Sequence, residues 1–125
     1  MKKENVVYDK AYKFAIMIVK AYEYLVNNKK MSKIADQLLR SGTSIGANLS
    51  EANGAISKAD FSSKVSIAYK ECLETKFWIS LLKDTNHIDE KTFDSIYADP
   101  EEIGRLLFAI LKTTRISPNP KAIIN

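Results

Sequence analysis

The chain has 125 residues, of which 46% are hydrophobic and 27% charged, a balance that suits one globular domain and excludes a disordered segment. Four Gly and three Pro favour long regular elements over a turn-rich β protein, and a lone cysteine, Cys72, excludes an intrachain disulfide. The net charge of +4 is segregated: residues 1–83 carry +6, residues 84–102 carry −6, and the rest carry +4. This pattern fits solvated helix faces that attract their neighbours in the fold, with a basic face turned to phosphates as the alternative.

Hydrophobic periodicity predicts an all-α chain, one helical bundle over 1–115 with a loosely held tail over 116–125. The first helix is expected over 6–28. Val7, Ala11, Phe14, Ala15, Ile18, Val19, Tyr22, Leu25 and Val26 share one stripe, with Lys10, Lys13 and Lys20 off it. Ser32 is read as the cap of a second helix over 32–53, with Gly54 as its terminator. A third helix, 57–84, opens on Ile56-Ser57-Lys58-Ala59-Asp60-Phe61: a Ser cap, an acid three residues on, and an Ile–Phe staple across the cap. The fourth, 89–115, opens in the same way on Ile88-Asp89-Glu90-Lys91-Thr92-Phe93. Its apolar register continues across Pro100, although an interior proline costs about 3 kcal/mol. Asp99-Pro100-Glu101-Glu102 is itself a helix start, so a kink or short break is expected near 98–100.

The second helix places Ile34, Leu38, Gly42, Ile45, Gly46, Leu49 and Ala52 on one face. Each glycine costs that helix about 1 kcal/mol relative to alanine, so a close approach by a neighbouring helix is the expected compensation. Beside this face run Ser41, Ser44, Asn48 and Glu51, with Arg40 at the margin. They form either a solvated side or a semi-buried polar network in which Arg40 pairs with Glu71 or Glu74. The third helix is apolar on two sides. Phe61, Val65, Ala68, Cys72, Ile79 and Leu82 form one stripe, while Ile67, Leu73, Phe77, Trp78 and Leu81 lie opposite. Four helices offer no second layer to cover the extra face, so Leu73, Phe77, Trp78 and Leu81 are expected at an interface between copies. The alternative is a few exposed apolar residues of the sort single domains tolerate.

Catalytic signals are missing. His87 is alone in a turn, Cys72 sits on an apolar stripe without a local His, and no Glu-x-x-His pair suggests a di-metal site. The expectation is a protein that is not an enzyme and holds no metal or cofactor. MKKENVVYDKAYK lacks the apolar stretch of a signal peptide, and the run Phe14–Val19 falls far short of the roughly 20 residues that span a bilayer. A cytoplasmic chain without a membrane partner is expected.

The run Leu38-Leu39-Arg40-Ser41-Gly42-Thr43-Ser44-Ile45-Gly46-Ala47-Asn48, then Glu51-Ala52 and Gly54-Ala55, carries a family likeness. Asp60-Phe61, Lys70-Glu71 and Glu74-Thr75-Lys76-Phe77-Trp78 continue it. The chain resembles the four-helix-bundle proteins encoded in intervening sequences of bacterial 23S rRNA genes; Pro100 and the proline-bearing tail depart from the pattern. The resemblance implies an antiparallel up-down-up-down four-helix bundle that assembles into a ring-shaped homo-oligomer, a homopentamer. It also implies that Arg40, Ser41, Ser44, Asn48, Glu51, Glu71 and Glu74 form a structural or interface network. A related group, the accessory variability determinants of diversity-generating retroelements, binds nucleic acid. The resulting expectation is a non-enzymatic oligomer contacting RNA or DNA without sequence readout through Lys10, Lys13, Lys20, Arg40, Lys64, Lys112 and Arg115. The alternative is a protein-interaction scaffold without a nucleic-acid role.

Overall fold

The structure is a computed structural model that describes residues 3–114; Arg115 and the tail expected over 116–125 lie outside the described residues. Four helices account for it, with no strand among the described residues: α1 Lys3–Asn28, α2 Ser32–Asn53, α3 Lys58–Asp84 and α4 Glu90–Thr114. Each helix packs along its chain neighbours and α1 closes against α4, while neither diagonal pair approaches closely. Phe14 and Ile18 of α1, Leu38 and Ile45 of α2, Ile79 and Leu82 of α3, and Ile103 and Leu107 of α4 are fully buried between them. Each such side chain contributes about 1.5–3 kcal/mol by leaving water.

Local chemistry explains some helix starts and fails at others. The Asp60 amide donates to the Ser57 hydroxyl at 3.0 Å, and the Ile56 amide donates to the Asp60 carboxylate at 3.2 Å, which ties the entry of α3 from both sides. The expected staple is absent, because Ile56 is 93% exposed and covers nothing. Asp89 caps α4 by accepting from the Thr92 amide at 2.7 Å, and this bond holds its carboxyl below the usual carboxylate range. Ser32 is not the cap of α2. Met31 holds that position with no side-chain bond, because the turn is fixed instead by Met31 donating to the Leu25 carbonyl at 3.1 Å. Lys30 adopts a left-handed conformation there, with φ 54°.

Close approach at the glycines is real. A Cβ on Gly42 would lie 3.0 Å from both γ carbons of Ile18, so α1 presses against α2 where no side chain intervenes. A Cβ on Gly46 would meet the Ala11 backbone at 3.6 Å, an ordinary contact. Val19, placed by periodicity on the inner stripe of α1, is instead exposed. Helix α4 runs through Pro100 as one element, without the break considered for 98–100. Ile96 and Ile103 on either side of the proline are both buried, so interrupting the helix there would disturb a continuous apolar face.

Candidate interaction surface

The seven polar residues expected to form one network divide into separate pairings. Arg40, at the outer edge of α2, reaches α3 with its fork. Nη1 donates to both Glu71 oxygens at 3.3–3.4 Å, Nη2 bonds Glu74, and Nε donates to Gln37 at 3.3 Å. Glu74 also accepts from the Trp78 indole N–H at 2.9 Å, so one carboxylate anchors both the guanidinium and the indole. Ser41 turns inward and is fully buried, as is Thr75 of α3, whose hydroxyl donates to it at 3.0 Å. Glu51 pairs with Lys64 at 2.6 Å, which raises the Lys64 pKa through that bond. Asn48 donates to the Ser44 carbonyl of its own helix at 2.8 Å, and among the described residues Ser44 takes part only through that carbonyl.

Outside the Arg40 cluster, the far side of α3 presents oil to water. Leu73 is 48% and Phe77 57% exposed, while Trp78 and Leu81 are half-buried. Phe77 and Trp78 meet edge to face with centroids 4.9 Å apart, fixing both rings. Sequence reasoning missed a second strip on α1, where Tyr12, Ile16 and Val19 are all exposed. These positions sit four and three apart, the spacing of one helix face, and that signal was legible once Val19 was released from the core.

Several basic candidates are already engaged by acids. Lys10 pairs with Glu102 at 3.2 Å, Arg40 with Glu71 and Glu74, and Lys64 with Glu51. Lys13, Lys20 and Lys112 are exposed, and among the described residues none is in an ion pair; Lys112 lies 5.4 Å from the Phe108 ring centroid. Arg115 is outside the described residues. Burial pushes the Cys72 thiol up to about 12, which keeps it protonated. His87 Nδ1 lies 2.8 Å from the Thr85 hydroxyl in the α3–α4 turn. Among the described residues no three His, Cys, Asp or Glu side chains gather as metal ligands, and no helix is long and apolar enough to cross a membrane.

The family model for the 23S rRNA-intervening sequence protein matches residues 3–109. The chain belongs to that family. A similar solved structure is the crystal structure of a protein of unknown function from the S23 ribosomal protein family of Bacteroides thetaiotaomicron. It is 49% identical, with a TM-score of 0.87, and the match covers 89% of this chain and 99% of that one. Among curated proteins, none matches. The 23S rRNA-intervening sequence family model spans all of α1, α2 and α3 and most of α4, so it includes both the Arg40 cluster and the two exposed strips.

Proposed function

We propose that this member of the 23S rRNA-intervening sequence family is a non-enzymatic assembly module whose copies join into a closed ring. In this reading the outer face of α3 in one copy meets the outer face of α1 in the next. The observation that carries it is the exposure of Phe77 at the centre of the α3 strip, together with a second apolar strip on α1. Helices α1 and α3 are a diagonal pair, so the two strips lie on opposite sides of the bundle. Two different patches on opposite sides make a head-to-tail contact, which closes into a ring when the rotation allows. Five copies is the number implied by the resemblance. The up-down-up-down course is supported by the pairing order: Gly46 lies against Ala11, Arg40 reaches Glu71, and Lys83 bonds Glu90. A non-catalytic role is supported by the protonated Cys72 thiol and by carboxylates engaged in ion pairs.

Light scattering on the purified chain tests this. The expected mass is a fixed small multiple of 14.1 kDa, reduced to one subunit by Phe77→Lys with helicity retained. A folded single subunit in the parent protein at high concentration would overturn the ring.

A second reading, contact with RNA or DNA, rests on Lys13 and Lys20, which are exposed beside the α1 strip and outside the described ion pairs. A ring repeats these charges, so weak phosphate contacts add up and fall steeply with salt. Mobility shifts at low salt that disappear in Lys13→Ala/Lys20→Ala support it. Partners that persist after nuclease treatment support a scaffold without nucleic acid.

A further inference from the structure

Between α3 and α4 runs a cleft of about 430 Å³, separate from the Arg40 cluster and meeting the outer strip of α3 only at Leu73. That size falls within the range of small-molecule sites. Beneath it lie Cys72 and Gly104, both buried, and a Cβ on Gly104 would meet the Cys72 Cβ at 3.8 Å, an ordinary contact. One wall is aromatic: Tyr69 and Phe108 are tilted against each other with centroids 5.7 Å apart, and Phe108 is 39% exposed.

The rim is cationic. Lys76, Arg105 and Lys112 line it with Glu101 as the one acid. Glu101 is committed to Lys76 at 3.0 Å, and that bond holds its carboxyl below the usual range. Its other oxygen faces Arg105 at 3.7 Å, an exposed i, i+4 ion pair too long for a hydrogen bond. Arg105, Phe108 and Lys112 follow at i, i+3 and i+7, one stripe of α4. Two helical turns separate the outer pair, about 10 Å along the axis. An aromatic ring thus stands between two cations, a platform for a planar ring that carries an anionic group at one end.

We infer that the α3–α4 cleft binds a nucleotide, its base laid on Phe108 and its phosphate held by Arg105. Lys112 Nζ lies 5.4 Å from the Phe108 ring centroid, and a bound base takes that place. The same chemistry is offered by a free nucleotide and by one unit of a single strand. The site does not depend on assembly, because it is formed within one copy.

Calorimetric titration of the full chain tests it with three probes: AMP, a short single-stranded oligonucleotide and inorganic phosphate. AMP or the oligonucleotide is expected to saturate, with phosphate much weaker. Phe108→Ala and Arg105→Ala each weaken binding by at least about fivefold, in line with the worth of one stacked base. Both side chains are exposed, and circular dichroism checks that the variants keep their helices. Tighter binding of the oligonucleotide per nucleotide than of AMP identifies a strand as the source; equal or weaker binding identifies the free nucleotide. The inference is overturned if neither saturates at millimolar concentration, if phosphate binds as well as AMP, or if both folded variants bind as the parent does. The ring is read by mass and the cleft by ligand, so either can fail alone.

Discussion

The Thr75 hydroxyl donates to the Ser41 hydroxyl at 3.0 Å, fully buried where α2 meets α3. Ser41 in turn lies 3.4 Å from the Leu38 carbonyl of its own helix. Replacing Thr75 by Val keeps the shape but leaves Ser41 without its donor, at an expected cost of about 1–3 kcal/mol. Pairing that change with Ser41→Ala removes both polar partners and should recover part of the loss. A double-mutant cycle in urea measures the coupling, and additive single effects would show that the bond contributes nothing.

The two glycines of α2 should respond differently. Gly42→Ala drives a methyl against Ile18 at 3.0 Å, where overpacking costs about 1–3 kcal/mol and outweighs or cancels the roughly 1 kcal/mol gained in helix propensity. Gly46→Ala meets Ala11 at 3.6 Å and keeps most of that gain. Thermal melts of the two variants should therefore fall on either side of the parent, or Gly46→Ala above and Gly42→Ala level with it.

Acid should loosen the start of α4. The Thr92 amide holds the Asp89 carboxyl below its ordinary value. A depressed carboxylate lends stability above its unfolded pKa, about 3.9, and loses it as pH falls through the folded value. Asp89→Asn keeps a capping oxygen but cannot titrate. The gap in urea midpoint between neutral pH and pH near 3 should shrink in that variant, and an unchanged gap would assign the acid sensitivity to other carboxylates.

Pro100 offers a stabilising substitution. It is buried within a continuous helix and brings no amide hydrogen to the preceding turn. Pro100→Ala should raise the melting temperature by restoring that donor, with a gain of up to about 3 kcal/mol set against the packing lost with the ring. A lower melting temperature would mean that the buried ring matters more than the missing bond.

What the sequence made legible was what short-range periodicity controls. Four helices, the inner glycines of α2, and the Ser57 and Asp89 caps all depend on residues within one or two turns of each other. The errors arise where a partner is remote in the chain. Ile56 and Phe61 have staple spacing, yet Ile56 points into solvent because the entry is already tied by Ser57 and Asp60. Val19 fits the inner stripe of α1 by angle, but the width of that stripe is set by how closely α2 and α4 pack. Thr75 stands between Glu74 and Lys76, and nothing local marks it as buried. Its role as partner to Ser41 depends on the register between α2 and α3, which neither helix encodes alone. The polar residues of α2 share a stripe, which fits a solvated side as well as a network; the single network implied by the family resemblance divides because Arg40, Ser41 and Glu51 meet different residues of α3.

Cys72 provides the fold with an internal clock. Its sulfur is completely sheltered between α3 and α4, and burial holds the thiol at about 12, so alkylating reagents have neither access nor a thiolate to attack. Modification must wait for those two helices to separate. The rate of labelling by an excess of iodoacetamide therefore reports how often this half of the molecule opens, with no engineered probe required.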